Sequence, residues 1–202
     1  MTVMFAIVSC EKDQKRGCHD AVRNTYLIYK GYHLHTFFMG GNAAPKWPDE
    51  AILMGVKDDY HHTYEKNNAI IRWALARGCN HLFTCDVDTY VVVPRLLACE
   101  FEEHDYMGHR CDEGHAGGGY GYWLSRRAME ILRDDPPNGS AAYNDLGIGM
   151  KLLVHGIPVH HDPGFGDGFL TAHLGDSVNK VYDPQWMYQY HERFLESQKC
   201  AS

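Results

Sequence analysis

No C-x-x-C pair occurs in this chain, and its cysteines, Cys10, Cys18, Cys79, Cys85, Cys99, Cys111 and Cys200, are odd in number and scattered. Neither a disulfide framework nor a thiolate zinc site is indicated, and reduced thiols are the simpler expectation. No apolar run approaches the ~20 residues that a membrane-spanning helix needs, and MTVMFAIVSCEKD lacks the basic leader of a secretory signal. The chain is therefore expected to be cytoplasmic, with no membrane segment. Positive charge is scarce: 19 Lys and Arg stand against 26 Asp and Glu, a formal charge of −7 that argues against a nonspecific polyanion binder. No internal repeat or low-complexity segment interrupts the sequence.

What is present is an ordinary globular composition. At 202 residues, 45% hydrophobic and 22% charged, the chain has the size of one domain with a real core. MFAIVSC reads as a buried strand ending near Ser9, GCHDAVRNTYLIY as a helix, and YHLHTFFMGG as a second strand closed by glycines. The unit then repeats in NNAIIRWALARGCNHLFTCD: Ile70, Ile71, Trp73, Ala74 and Leu75 form a helical apolar face, Gly78 caps it, and a strand follows. Downstream, HDYMGHR reads as a strand, GGGYGYWLS as a glycine turn into another, and RRAMEILRDD as a helix stopped by Pro136 and Pro137. A further helix is expected from about Leu146 to His155, closed by Gly156, with Asp145 at its N-terminus. This alternation predicts an α/β fold with a mixed, mostly parallel sheet flanked by helices. From HHDPGFGDGFLTAHL onward clean periodicity fades, and the tail is expected to drape over the site.

Within that frame, FTCDVDTYVVVP sets two aspartates one residue apart in an apolar, β-branched run. On a strand, Asp86 and Asp88 share one face with Cα atoms about 7 Å apart, an arrangement able to hold a cation. Alternatively the strand ends at Cys85 and the aspartates open a turn. Ligands of open α/β sheets bind at the carboxyl ends of strands, where this segment falls, and that position favours a functional use.

Four separated stretches, YHHTYEKNNAIIRWAL, TCDVDTYVVVPRLL, GGGYGYWLSRRAMEIL and YNDLGIGMKLL, then match one joint pattern. Their order and spacing resemble the β-1,3-glycosyltransferase family that includes Fringe and the β-1,3-galactosyltransferases, over roughly residues 3 to 175. That family carries D-D-D-T-[YF]-V, then G-G-[AG]-G-Y-x-[LI]-S, then [ED]-D-V-x-x-G. Three departures occur here: Val87 for the middle aspartate, Tyr120 within the glycine stretch, and Asn144 for an acid. The stem and membrane anchor of Golgi members are also missing, which fits a bacterial or viral relative better.

The resemblance implies a single GT-A domain over residues 1–202, with a nucleotide-binding half over about 1–90 and an acceptor-binding half and tail over about 91–202. It implies a metal-dependent, inverting glycosyltransferase acting on a UDP-sugar, with a hydroxyl acceptor on a glycan, a protein, a lipid-linked sugar or a modified DNA base.

Breaking the anomeric C–O bond leaves negative charge on a diphosphate, and hard oxygen ligands suit the Mg²⁺ or Mn²⁺ that stabilises it, an added imidazole favouring Mn²⁺. Asp88, with Asp86, is the expected carboxylate set. FLTAHL is similar to the F-x-S-H-L stretch of Fringe proteins and points to His173, with His161 of VHHDPGF as competitor. Asp145 falls at the family's catalytic base, a helix cap being the alternative use. Ser9, Arg23, Asp58 and Lys66 fall at family positions near the donor, and Arg23 has a planar fork able to pair a phosphate. A surface acid and a solvated lysine are the plain alternatives for Asp58 and Lys66. Gly118, Gly119 and Gly121 allow close backbone approach to a sugar, or simply a tight turn. Tyr122 and Trp123 are sugar-stacking platforms or core. Two rival classes are a metal-dependent phosphohydrolase or nuclease, and a non-enzymatic carbohydrate-binding module.

Overall fold

The computed structural model describes residues 2–29, 33–41, 43–134, 144–175 and 182–201. Strand β1 (Val3–Val8) is apolar and buried along its whole length, as a central strand covered on both faces must be. Its side chains alternate between two cores: Val3, Phe5 and Ile7 enter one, Met4, Ala6 and Val8 the other.

β2 (His33–Gly40) and β4 (His81–Asp86) flank β1 in parallel, and β3 (Glu50–Leu53) extends β2 in parallel. Beyond β4 the direction reverses. β7 (Tyr122–Ser125) pairs antiparallel with β4, β6 (Tyr106–Gly108) pairs antiparallel with β7, and β8 (His160–His161) returns parallel to β6. The seven-stranded order is β3-β2-β1-β4-β7-β6-β8, a mixed and mostly parallel sheet as the sequence predicts. A separate ribbon pairs β5 (Thr89–Val91) with β9 (Thr171–His173) in antiparallel.

Short helix α1 (Glu11–Lys15) leaves the end of β1. The core containing Phe5 is closed by α2 (Cys18–Arg23), α4 (Val93–Ala98) and α7 (Pro184–Ala201). The opposite core is closed by α3 (Thr63–Ala76), α5 (Arg126–Asp134) and α6 (Asn144–Val154). None of the described helices is long and apolar enough to cross a membrane.

Several expectations are corrected in detail. The segment GCHDAVRNTYLIY is not one helix: α2 stops at Arg23 and a 3₁₀ turn covers Tyr26–Ile28. α6 begins at Asn144, two residues earlier than its apolar periodicity starts. The tail, where clean periodicity fades, nevertheless holds an 18-residue helix, α7. Trp123 and Tyr122 are buried in the sheet and packed on Phe101 and Tyr106, so they are core rather than sugar platforms. Pro136 and Pro137 lie outside the described residues.

Candidate active site

β4 runs on through Asp86, which is in register with Val8, and the chain then turns through Val87 and Asp88 into β5. Strand geometry thus holds for Asp86 and turn geometry for Asp88, so both readings of the D-x-D segment are met in part. Val87, the departure from the family pattern, is buried in the core that contains Phe5, where a carboxylate would lose its hydration.

The β5–β9 ribbon places Thr89 opposite His173, and the Leu174 N–H donates to the Asp88 carbonyl at 2.9 Å. This closure brings Asp88 Oδ1 to 3.6 Å from His173 Nδ1. Both atoms are buried, and neither has a hydrogen-bond partner. Burial raises the pKa of Asp88, partly countered by His173. Asp86 is raised as well, by burial first and then by the charges of Asp88, Asp145 and Asp13. A hard anionic oxygen and an imidazole nitrogen, both orphaned and facing each other, form a donor pair that fits a divalent cation. Among the described residues no group of three or more His, Cys, Asp or Glu is arranged around one metal position.

Against this pair lies the 3₁₀ turn Gly118–Tyr120. A Cβ on Gly119 would stand 3.3 Å from the His173 ring, tighter than most side chains tolerate. The turn is held from three sides: Thr89 Oγ1 donates to the Gly119 carbonyl at 2.9 Å, Thr171 Oγ1 to the Tyr120 carbonyl at 2.7 Å, and Gly118 N–H to Asp145 Oδ2 at 2.9 Å. Asp145 sits in the first turn of α6 and serves both sides: its Oδ1 accepts the Leu146 N–H at 3.0 Å, a cap-like bond to the helix start, while Oδ2 turns outward to Gly118. His115, which no pattern singled out among 14 histidines, places Nε2 3.8 Å from the same Oδ2.

Around the end of β1, buried Lys66 and half-buried Asp58 form a brace. Lys66 Nζ donates to Asp58 Oδ1 at 2.7 Å and to the Ser9 carbonyl at 2.8 Å. Asp58 also accepts the N–H groups of Gly40 at 2.8 Å and Glu11 at 2.6 Å. The solvated-lysine alternative is thereby removed, since Lys66 is buried. Ser9 Oγ lies 2.8 Å from His19 Nε2, and His19 Nδ1 lies 2.8 Å from Glu50 Oε1.

Arg23 does not turn its fork toward the Asp86 and Asp88 edge. It binds Asp49 through Nε at 2.9 Å and Nη2 at 2.7 Å, and also Glu50 and Asp20. Its donors are taken by carboxylates that a phosphate would have to displace, so the phosphate-pairing expectation for Arg23 is corrected. His161 is exposed on β8, and its Nδ1 accepts the Arg110 N–H at 3.1 Å. The tail does return to the site: Gly166 packs on the Tyr120 ring, and β9 delivers His173.

Neither a protein-family model nor a curated protein matches the chain. Similarity appears only among solved structures. A protein from Desulfovibrio desulfuricans G20, assigned as a nucleotide-diphospho-sugar transferase, is 9% identical with a TM-score of 0.51, covering 80% of this chain and 78% of that one. The galactosyltransferase LgtC, solved in complex with donor and acceptor sugar analogs, is 11% identical with a TM-score of 0.49, covering 96% of each chain. The fold is that of the GT-A nucleotide-sugar transferases. The Fringe-type subfamily is not established by these likenesses.

Proposed function

We propose that this protein is a metal-dependent, inverting glycosyltransferase of Fringe-like type that moves a sugar from a UDP-sugar to an acceptor hydroxyl. The carrying observation is the half-buried Asp88 and His173 pair at the carboxyl edge of the sheet, whose facing atoms are buried and orphaned and which is walled by a glycine turn that Asp145 holds.

In this reading Asp88 and His173, with Asp86, would hold Mn²⁺ or Mg²⁺. The bound cation supplies Lewis-acid stabilisation of the diphosphate as the anomeric C–O bond breaks. Gly118 and Gly119 let the backbone of the turn lie close against Asp145 and His173, where an added Cβ would stand 3.4 Å and 3.3 Å from those side chains. Asp145 takes the proton of the acceptor hydroxyl as that oxygen attacks the anomeric carbon from the face opposite the diphosphate. Ser9, Asp58 and Lys66 set the backbone at the end of β1 where the nucleotide half begins, and Lys66 adds one buried positive charge.

The Ser9–His19–Glu50 chain invites a hydrolase reading, because hydroxyl, imidazole and carboxylate stand in line. Two observations oppose it: all three side chains are buried, and the neighbouring N–H groups of Ser9 and Glu11 are taken by Phe38 O and Asp58 Oδ2. Those two backbone donors are thus already engaged and not free to stabilise an oxyanion.

Thermal shift with a nucleotide panel, with and without Mn²⁺, tests the proposal. Stabilisation only by a nucleoside diphosphate plus metal is expected, and Asp88→Ala should abolish it, because RT ln(1 + [L]/Kd) vanishes when the site is lost. Unchanged UDP affinity of Asp88→Ala in Mn²⁺, measured by calorimetry, would sink the metal assignment. Proton NMR of the product's anomeric centre reads the stereochemistry directly.

A further inference from the structure

A loop between β6 and the glycine turn carries His115. Its backbone is fixed on both sides: the His115 carbonyl accepts the Cys111 N–H at 2.8 Å, and the Ala116 N–H donates to Tyr106 Oη at 2.8 Å. Arg110 and Ala116 close the loop as an isolated antiparallel bridge. The imidazole is buried, with Nε2 3.8 Å from Asp145 Oδ2 and Nδ1 without a partner.

Helix α6 is shaped to receive this ring. A Cβ on Gly149 would fall 2.4 Å from His115 Cβ and 3.0 Å from its Cα, so only glycine lets the loop reach the helix. Glycine inside a helix costs about 1 kcal/mol relative to alanine, a price that this contact explains. The last glycine of the D-x-x-x-G stretch thus acquires a purpose: it admits His115 beside Asp145.

The ring's tautomer follows from its surroundings. A proton on Nε2 faces the carboxylate and leaves only a lone pair at buried Nδ1. The other tautomer would set a lone pair against a carboxylate and strand an N–H donor, the worse outcome on both counts.

We propose that His115 is a positioning residue for Asp145: its Nε2–H serves as the second donor to Oδ2, beside Gly118 N–H, fixing the carboxylate toward the acceptor. This inference rests on the proposed role of Asp145 as base. The 3.8 Å separation exceeds a hydrogen bond and closes as the acceptor loads, as catalytic contacts in unliganded sites do.

The test has two arms. In ¹⁵N-histidine-labelled protein, the signal lost in His115→Gln identifies His115, which should show the Nε2–H tautomer and shift in Asp145→Asn. A Nδ1–H tautomer, or no response to Asp145→Asn, overturns the contact whatever the enzyme does. In the second arm, UDP release from UDP-glucose or UDP-galactose with Mn²⁺ is followed in His115→Ala, His115→Asn and His115→Gln, with unfolding temperatures measured alongside. Glutamine carries an amide N–H to the reach of Nε2 and should restore turnover to within a few-fold. Alanine and asparagine should lose about tenfold to a hundredfold in kcat with donor KM unchanged, the scale of a misplaced reacting group. Equal losses in all three variants would reduce His115 to packing. Should Asp145→Asn keep full turnover, the base reading falls, while the tautomer arm still judges the contact by itself.

Discussion

At Asp86 and Asp88, folding and function pull in opposite directions. Burial holds the Asp86 carboxyl above the ordinary carboxylate range, and the charges of Asp88, Asp145 and Asp13 add to the rise. A group whose folded pKa is raised contributes stability at pH below its unfolded value and loses it as pH rises through the folded one. Asp86→Asn should therefore raise the melting temperature near neutrality, with a gain that fades as pH falls toward 3.8, the ordinary value for this side chain. Each kcal/mol relieved corresponds to about 2–4 °C in a chain of this size. Calorimetry across that range decides the matter, and a gain equal at pH 4 and pH 8 would show that charge is not the cause. Arg23 behaves in the opposite sense: Arg23→Met strands Asp49 and Glu50 without their cation and should cost about 3–5 kcal/mol by urea unfolding. Its UDP affinity should stay unchanged, which separates the carboxylate network from phosphate binding. For Asp145→Asn, folding and donor binding should persist while transfer falls by roughly 10²-fold or more. A cap role predicts little change in either, because asparagine caps nearly as well as aspartate.

Among the elements, those with long periodic signals were legible in the sequence and those defined by partners were not. The strand at MFAIVSC, the helix over NNAIIRWALA and the strand to Asp86 came from their own residue patterns. β3 and the two-residue β8 exist because β2 and β6 offer edges, and no local pattern announces them. Helix α7 is a different case, since its signals were present. Asp183 Oδ1 accepts the Gln185 N–H at 2.9 Å, Pro184 opens the helix, and Met187, Tyr190, His191 and Phe194 recur at helical spacing. A Gly- and Asp-rich stretch precedes them and masks the onset of the period. Met187 is fully buried against the core containing Tyr90. Met187→Ala should accordingly cost about 2–5 kcal/mol in urea unfolding. A loss below 1 kcal/mol would mean that α7 only lies on the surface. Of the candidate site, residues named from local chemistry, Asp88, Gly118, Gly119 and Asp145, lie together around His173. His115 joins Asp145 through a loop closure across 30 positions of sequence, which residue types alone do not encode.

Over the whole molecule, the acid side of the stability profile follows from one buried network that links α1, α2 and β3. Burial alone would raise the pKa of Glu50. Hydrogen bonds from Arg23, His19, the Lys46 N–H and Gln14 outweigh it and hold the carboxyl at about 2, against an ordinary 4.5. A depressed folded pKa contributes stability that is present above the unfolded value and is lost as pH falls through the folded one. Glu50 therefore withdraws its contribution between about pH 4.5 and pH 2. His19 is also lowered, by burial first, from 6.5, so the unfolded chain takes up a proton that the folded one refuses as pH drops below 6.5. The two groups act in the same direction at successive pH intervals, and their joint contribution to unfolding free energy should decline in two steps from pH 6.5 to pH 2, opposed in the upper interval by Asp86, whose raised pKa acts in the other sense. Glu50→Gln keeps the shape of the side chain and removes its titration. Its destabilisation should shrink through the lower interval, whereas the upper step should deepen, because His19 without its anionic partner resists protonation in the folded state still more. Urea unfolding of both proteins at closely spaced pH values reads this directly. A Glu50→Gln profile parallel to that of the wild type from pH 4.5 to pH 2 would place the acid sensitivity elsewhere among the 26 carboxylates.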